Sequence, residues 1–300
     1  MPDEGTCVGR SVCDEVTMEP YFDLVGFAAV ATSDFPGSEV YGLADHGGMP
    51  GLDKQLARAG IAWRTLFEGS HEEGAAAVAP LLFSLSEAWA DGHRRLLEWV
   101  AEHGTYTSSL LLLATPLPID EVAARLACRL DAMLSEEMNV LLRFFDPRVF
   151  EALLGVLDAQ RKEAFLGVAD GWWYFDRRGA LVAQPSRCAA CDEHTVPLRL
   201  TATQEFALLA ASEPDQVAEQ LAALVPEPWR KVSLPQRADF LERHIADARR
   251  IGLTSTRDLT LYCGIALLEG EDFCATAKWR PLLGAVQRGE MDFSSALAQS

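Results

Sequence analysis

The sequence predicts an α/β lobe, built on a central and mostly parallel sheet with flanking helices, followed by an all-helical lobe. Three observations carry that expectation. Between residues 38 and 160 short apolar runs alternate with amphipathic helical patterns, the trace that strand–helix–strand units leave. The run SSLLLLAT (108–115) is almost continuously apolar, as expected of a strand covered on both faces. After residue 185 strand-like runs cease and helix-start signals recur.

The elements follow in order. Residues 1–20 are polar and aperiodic and read as a flexible arm; 21–185 read as the α/β domain and 186–300 as the helical lobe. VYGLAD (40–45) is a strand running into the Gly/Pro turn HGGMPG, and LDKQLARAG (52–60) is a helix that stops at Gly60. APLLFSL (79–85) is a strand. HRRLLEWVAEHG (93–104) places Leu96, Leu97 and Val100 on one helical face. PIDEVAARLACRLDAML (118–134) is helical, NVLLRFF (139–145) is a strand and RVFEALLGVL (148–157) a helix. WWYFDRRGALVAQ (172–184) is a hairpin with Arg-Arg-Gly at its turn. In the second lobe, Thr201 with Gln204 and Ser233 with Gln236 form capping-box patterns, and Ser255 with Asp258 resembles one. Ser212 before Glu213-Pro214-Asp215 suggests another helix start, while Gly252 and Gly270 fit helix ends.

Composition narrows the function classes. The 300 residues carry 44 acids against 26 bases, a net charge of −18. Nucleic-acid affinity comes from Lys and Arg neutralising phosphates, and no basic run supplies it, so no nucleic-acid partner is expected. An anionic membrane surface would repel the chain, and no run reaches the roughly 18 apolar residues of a spanning helix. The terminus MPDEGTCVGRSVCDEV is acidic, where a secretion signal needs basic residues ahead of an apolar core. Seven irregularly spaced cysteines make no disulfide framework. A cytoplasmic location is expected.

Three motifs invite chemistry. Cys188, Cys191 and His194 form C-x-x-C-x-x-H. A structural zinc site needs a fourth ligand and a redox pair favours a helix start, so ordinary loop cysteines stand against a metal or redox module. Asp45 and His46 end a strand, where ligands of α/β proteins often bind; with Arg148 they define an alternative enzymatic site, although no nucleophile is evident. Trp172, Trp173 and Tyr174 crowd one hairpin. They read either as core or as a partner-binding surface, since Trp and Tyr dominate interface hot spots.

RFFDPRVF (143–150) is read from its backbone first. Asp146 suits an N-cap and Pro147 the first helical position, making a strand-to-helix junction. Arg143 and Arg148 then need partners, because a buried unpaired charge is costly. Asp45, at another strand end, is a candidate.

Taken in order, VYGLAD, WRTLFEG (63–69), APLLFSL, HRRLLEWVAEHG, SSLLLLAT and above all LLRFFDPRVFEALLGVL (141–157) resemble the bacterial type VI secretion effector adaptors, also called effector chaperones. The resemblance covers residues 38–180, with a looser likeness over 252–273. Its signature positions here are Asp45, Arg143, Phe144, Asp146, Pro147 and Arg148. It implies a cytoplasmic, non-enzymatic protein that binds a toxic effector and helps load it onto the trimeric spike protein. It implies no catalytic residue, cofactor or metal, and a C-terminal lobe that varies with the cargo. The chain departs from the pattern at His46, where a glycine usually follows the first strand's aspartate, and at CAACDEH, which lies outside it.

Overall fold

The structure, a computed structural model, describes residues 21–300; the arm expected over residues 1–20 lies outside the described residues. In chain order the first lobe contains α1 (Leu24–Asp34), β1 (Glu39–Asp45), α2 (Leu52–Ala59), β2 (Trp63–Thr65), β3 (Pro80–Ser84), α3 (Leu85–Ala90), α4 (Arg94–Gly104) and β4 (Leu110–Thr115). It continues with α5 (Ile119–Ala127), β5 (Asp131–Met133), β6 (Asn139–Leu141), α6 (Pro147–Val156), α7 (Ala159–Leu166), β7 (Gly171–Phe175), β8 (Leu181–Pro185) and β9 (Leu198–Arg199). The second lobe contains α8 (Ala202–Leu224), α9 (Pro226–Lys231), α10 (Gln236–Arg250), α11 (Thr256–Glu269), α12 (Trp279–Gln287) and α13 (Phe293–Gln299).

The large sheet has six strands in the order β2-β3-β1-β4-β7-β8, and every neighbouring pair is antiparallel. This corrects the expectation of a mostly parallel sheet. The strands β3 and β4, joined through α3 and α4, do run the same way, but β1 lies between them and opposes both. A strand–helix–strand pattern records that the chain crosses the sheet, not which strand fills the gap.

Near-continuous apolarity has the cause inferred from the sequence. On one face α5, α6 and α7 cover Tyr41, Leu43, Leu111, Leu113 and Trp172. On the other, α1 to α4 cover Val40, Ala44, Phe83, Leu110 and Leu112. Side chains alternate between faces, so both sets must be apolar. Gly42 is required in β1, because a Cβ there would stand 2.6 Å from the Phe83 ring on the neighbouring strand.

Residues 139–145 correct a second expectation. Only Asn139–Leu141 is strand, and it joins a separate three-stranded sheet in the order β6-β5-β9. Phe144 and Phe145 are both buried in the same core. Adjacent residues of a strand point to opposite faces, so the chain must turn to bury both. The tail of the helix expected over 118–134 likewise becomes β5, and β9 brings the chain back to this small sheet before α8 begins.

In the second lobe the Thr201–Gln204 capping box forms, and the Gln204 amide also donates to the Val156 carbonyl at 2.8 Å. Ser255 caps α11. The starts expected at Ser212 and Ser233 do not occur. Pro214 lies inside α8, and α10 starts after Pro235, with Ser233 offering only its backbone carbonyl to the Gln236 N–H. Proline in a helix interior removes one backbone bond. Two turns around it are braced from outside, because Arg177 at the β7–β8 tip donates to the Ala211 carbonyl and to Asp215.

Trp172 is fully buried beneath α6 and its Nε1 donates to the Leu166 carbonyl at 3.0 Å. Trp172→Ala should therefore cost about 3–5 kcal/mol, read as an earlier urea transition of the first lobe.

Candidate functional site

Two concave regions meet at the N-terminus of α6. The smaller, about 470 Å³, opens at the end of β1 and is lined by Asp45, Gly48, Phe145, Arg143, Asp146 and Arg148 among others. The larger, about 1130 Å³, is an open cleft between the lobes, walled by the start of α6, the β7–β8 tip, α8 and α10. Asp146 and Arg148 face both.

The strand-end pocket is organised by Asp45. Its carboxylate is buried, takes the Gly47 N–H on one oxygen at 2.9 Å and the Arg143 guanidinium on the other at 2.7 Å. Its backbone carbonyl closes the turn by accepting from Gly48 and Met49. Gly48 lies so close to Ser109 that a Cβ would collide with the hydroxyl. The glycines of HGGMPG thus serve a tight turn. Arg143 also lies 5.5 Å from the centre of the Phe145 ring, a cation–π distance.

Asp146 caps α6 through the Arg148 N–H at 2.9 Å, and Pro147 is the first helical residue. The same carboxylate takes Nε and Nη2 of Arg148 at 3.0 and 2.6 Å. That hydrogen-bonded pair holds the guanidinium above its ordinary pKa, against the opposing effect of burial. Asp215 of α8 stands 3.7 Å from Arg148 and takes Arg177 at 2.8 Å. Arg178 reaches Asp239 and Glu242 of α10. Arginines of the first lobe therefore meet acids of the second along one edge of the cleft.

His46 does not complete a site with Asp45 and Arg148. Its Nε2 faces Asp53 at 3.2 Å and its Nδ1 the Ala76 carbonyl at 3.3 Å. Trp172 and Tyr174 are buried against α6. Trp173 is half-buried against Phe27 and Phe35, at 5.2 and 5.5 Å. The hairpin aromatics are placed as core, covered by helices of their own lobe, and do not form the exposed contact surface that the sequence left open. Burial first, then the nearby Glu151 charge, pushes the Tyr174 hydroxyl up to about 12.

The cysteine loop is organised by residues outside its motif. Arg129, fully buried, donates to Asp192 twice at 2.8 Å and to the carbonyls of Arg125, Ala164 and Phe165. Cys188 Sγ lies against the Val168 carbonyl and the Thr115 hydroxyl, Cys191 is exposed, and the His194 ring packs edge-on to Phe165. Among the described residues no group of three His, Cys, Asp or Glu side chains is placed to hold a metal ion. No described helix is long and apolar enough to cross a membrane.

Residues 40–164 match the family model DUF4123, described as a domain of unknown function. The match begins in β1, contains the whole Asp45–Arg143 and Asp146–Arg148 arrangement, and ends within α7. The DUF4123 segment thus supplies the strand-end pocket and the α6 wall of the cleft, whereas the hairpin tip, α8 and α10 lie beyond it. No curated protein and no solved structure matches the chain.

Sequence reasoning offered Asp45 as a candidate partner for Arg143 and Arg148, of which Arg143 takes it and Arg148 takes Asp146, and it missed Arg129, Asp192, Arg177, Arg178 and Asp215. An arginine inside a helical pattern looks like any solvated one. The available signal was Arg-Arg-Gly at the hairpin turn, which marks a turn but also puts two cations at its tip.

Two outcomes follow. Asp192→Asn should cost about 1.5–3 kcal/mol, the scale of hydrogen bonds to a charged group, because Asp192 lies at the surface and three carbonyls still hold Arg129; chemical denaturation checks this. Burial, and then the Arg129 charge, pushes His194 down to about 4 from an ordinary 6.5, against Asp192. The unfolded chain therefore binds more protons between pH 6.5 and 4, so stability is full above that window and falls on acidification through it. His194→Phe should flatten that slope in thermal melts taken across the window.

Proposed function

We propose that this chain is a non-enzymatic cytoplasmic adaptor that binds a type VI secretion effector and promotes its loading onto the trimeric spike protein. The observation that carries this reading is the family match over residues 40–164. It spans the ordered blocks on which the resemblance to the effector adaptors rests, including LLRFFDPRVF. The geometry supports it in two ways. The charged groups at the strand end are engaged with one another: Asp45 with Arg143 and Asp146 with Arg148. A general acid or base needs a group free to exchange a proton with substrate, and these instead brace a turn and a helix start. The open cleft between the lobes, by contrast, exceeds the usual range of small-molecule sites and suits a polypeptide.

Co-expression of the chain with the effector and spike encoded beside it should yield a complex containing the effector on size-exclusion chromatography. Deleting the chain should abolish delivery of that effector to target cells. Binding to neither protein, with delivery intact after deletion, would overturn the reading. Within it, Arg148→Ala should lower the melting temperature by several degrees while a folded preparation still binds the effector.

A further inference from the structure

Most arginines in the described residues belong to one of two groups. They pair with a carboxylate, as Arg148, Arg177, Arg178 and Arg249 do around the cleft, or they are exposed to water. Arg237 of α10 belongs to neither. It lines the cleft and is half-buried. Its guanidinium lies 5.0 Å from the centre of the Trp229 ring, and it donates only to the carbonyls of Val232 and Trp229, at 3.2 and 3.5 Å. Burial draws its pKa below the ordinary value, with no acid to offset it. A partly desolvated cation without a counter-ion is costly. It is the more notable in a chain with a net charge of −18.

The surroundings indicate what would supply the missing charge. Ala152, Ala211, Ala218 and Ala238 line the cleft, with Leu241 and Ile245 along α10. Its long walls are helices, and alanines on facing helices let another helix approach closely, at the 8–10 Å spacing of packed helix pairs. We propose that the cleft receives an amphipathic helical segment of the effector, and that an Asp or Glu on its polar edge pairs with Arg237 while its apolar face lies on the alanine-lined walls. This mode of recognition, apolar anchors in a groove with a charge fixing register, is common for helical ligands. The proposal rests on the adaptor reading and assigns it a site.

The test uses the full chain and the effector encoded beside it, with affinity measured by isothermal titration calorimetry. Arg237→Glu should weaken binding by about tenfold or more, the scale for breaking a sheltered charge pair. Reversing one effector carboxylate to Lys should restore it. Arg237→Gln, which keeps most of the packing, and Ala238→Trp, which fills the cleft, provide folded alternatives if Arg237→Glu does not fold. Both should also weaken binding, with unchanged circular dichroism. Wild-type binding that is unaffected in folded Arg237→Gln and Ala238→Trp would overturn the proposal and leave the adaptor reading standing. A wild-type chain that does not bind the effector would remove both.

Discussion

Arg129 is the point on which the first lobe closes. A guanidinium has five N–H donors, and this one places all of them: two on Asp192 and one each on the carbonyls of Arg125, Ala164 and Phe165. The carbonyls belong to the ends of α5 and α7, and Asp192 to the loop that follows the hairpin. One side chain thus fixes two helix ends and the segment that delivers the chain to β9 and then α8. A lysine would carry the charge but not the fork. The cost of burying Arg129 is offset because the partner is bidentate and no donor is left over. Asp192 reflects the same balance: burial alone would raise its carboxyl, yet the bonds from Arg129 hold it below the ordinary value.

The lobes are joined by the same chemistry in a wetter setting. Arg177 shares Asp215 with Arg148 and also takes Glu151, so one acid of α8 links the hairpin tip to the α6 start. Exposed pairs contribute little singly, and Arg178 with Asp239 and Glu242 is of that kind. The sheltered Arg177 cluster, with its bond to the carbonyl near Pro214, sets the orientation of α8. The two lobes keep largely separate apolar cores, with Leu208 of α8 packed against the first, and the directional contacts at the hairpin tip leave a cleft between them.

Much of the first lobe was legible because burial on both faces leaves an unambiguous trace. LLLLAT and VYGLAD could only be covered strands, and Asp146-Pro147 could only start a helix. Strand direction was not legible, since helical connections look alike whether or not another strand is inserted between the ends they join. The extent of NVLLRFF was misjudged because consecutive phenylalanines satisfy a strand's propensity as well as a turn's need to bury both. Pro214 misled for the opposite reason. Its local signal is a helix start, yet α8 runs through it, with Arg177 bonded to the residues on either side. The site was half readable: the Asp45–Arg143 pair follows from two strand-end charges needing partners, whereas the Arg177 and Arg178 joints between lobes join acids 38 to 64 residues away along the chain, which no local pattern encodes.

The hairpin tip has one more consequence. The family match ends within α7; beyond it, two arginines on a single turn face Asp215, Asp239 and Glu242 of the second lobe, adding to the contacts that α6 makes with α8. The turn thus does two jobs at once: it closes the hairpin and presents two cations to the helices of the other lobe.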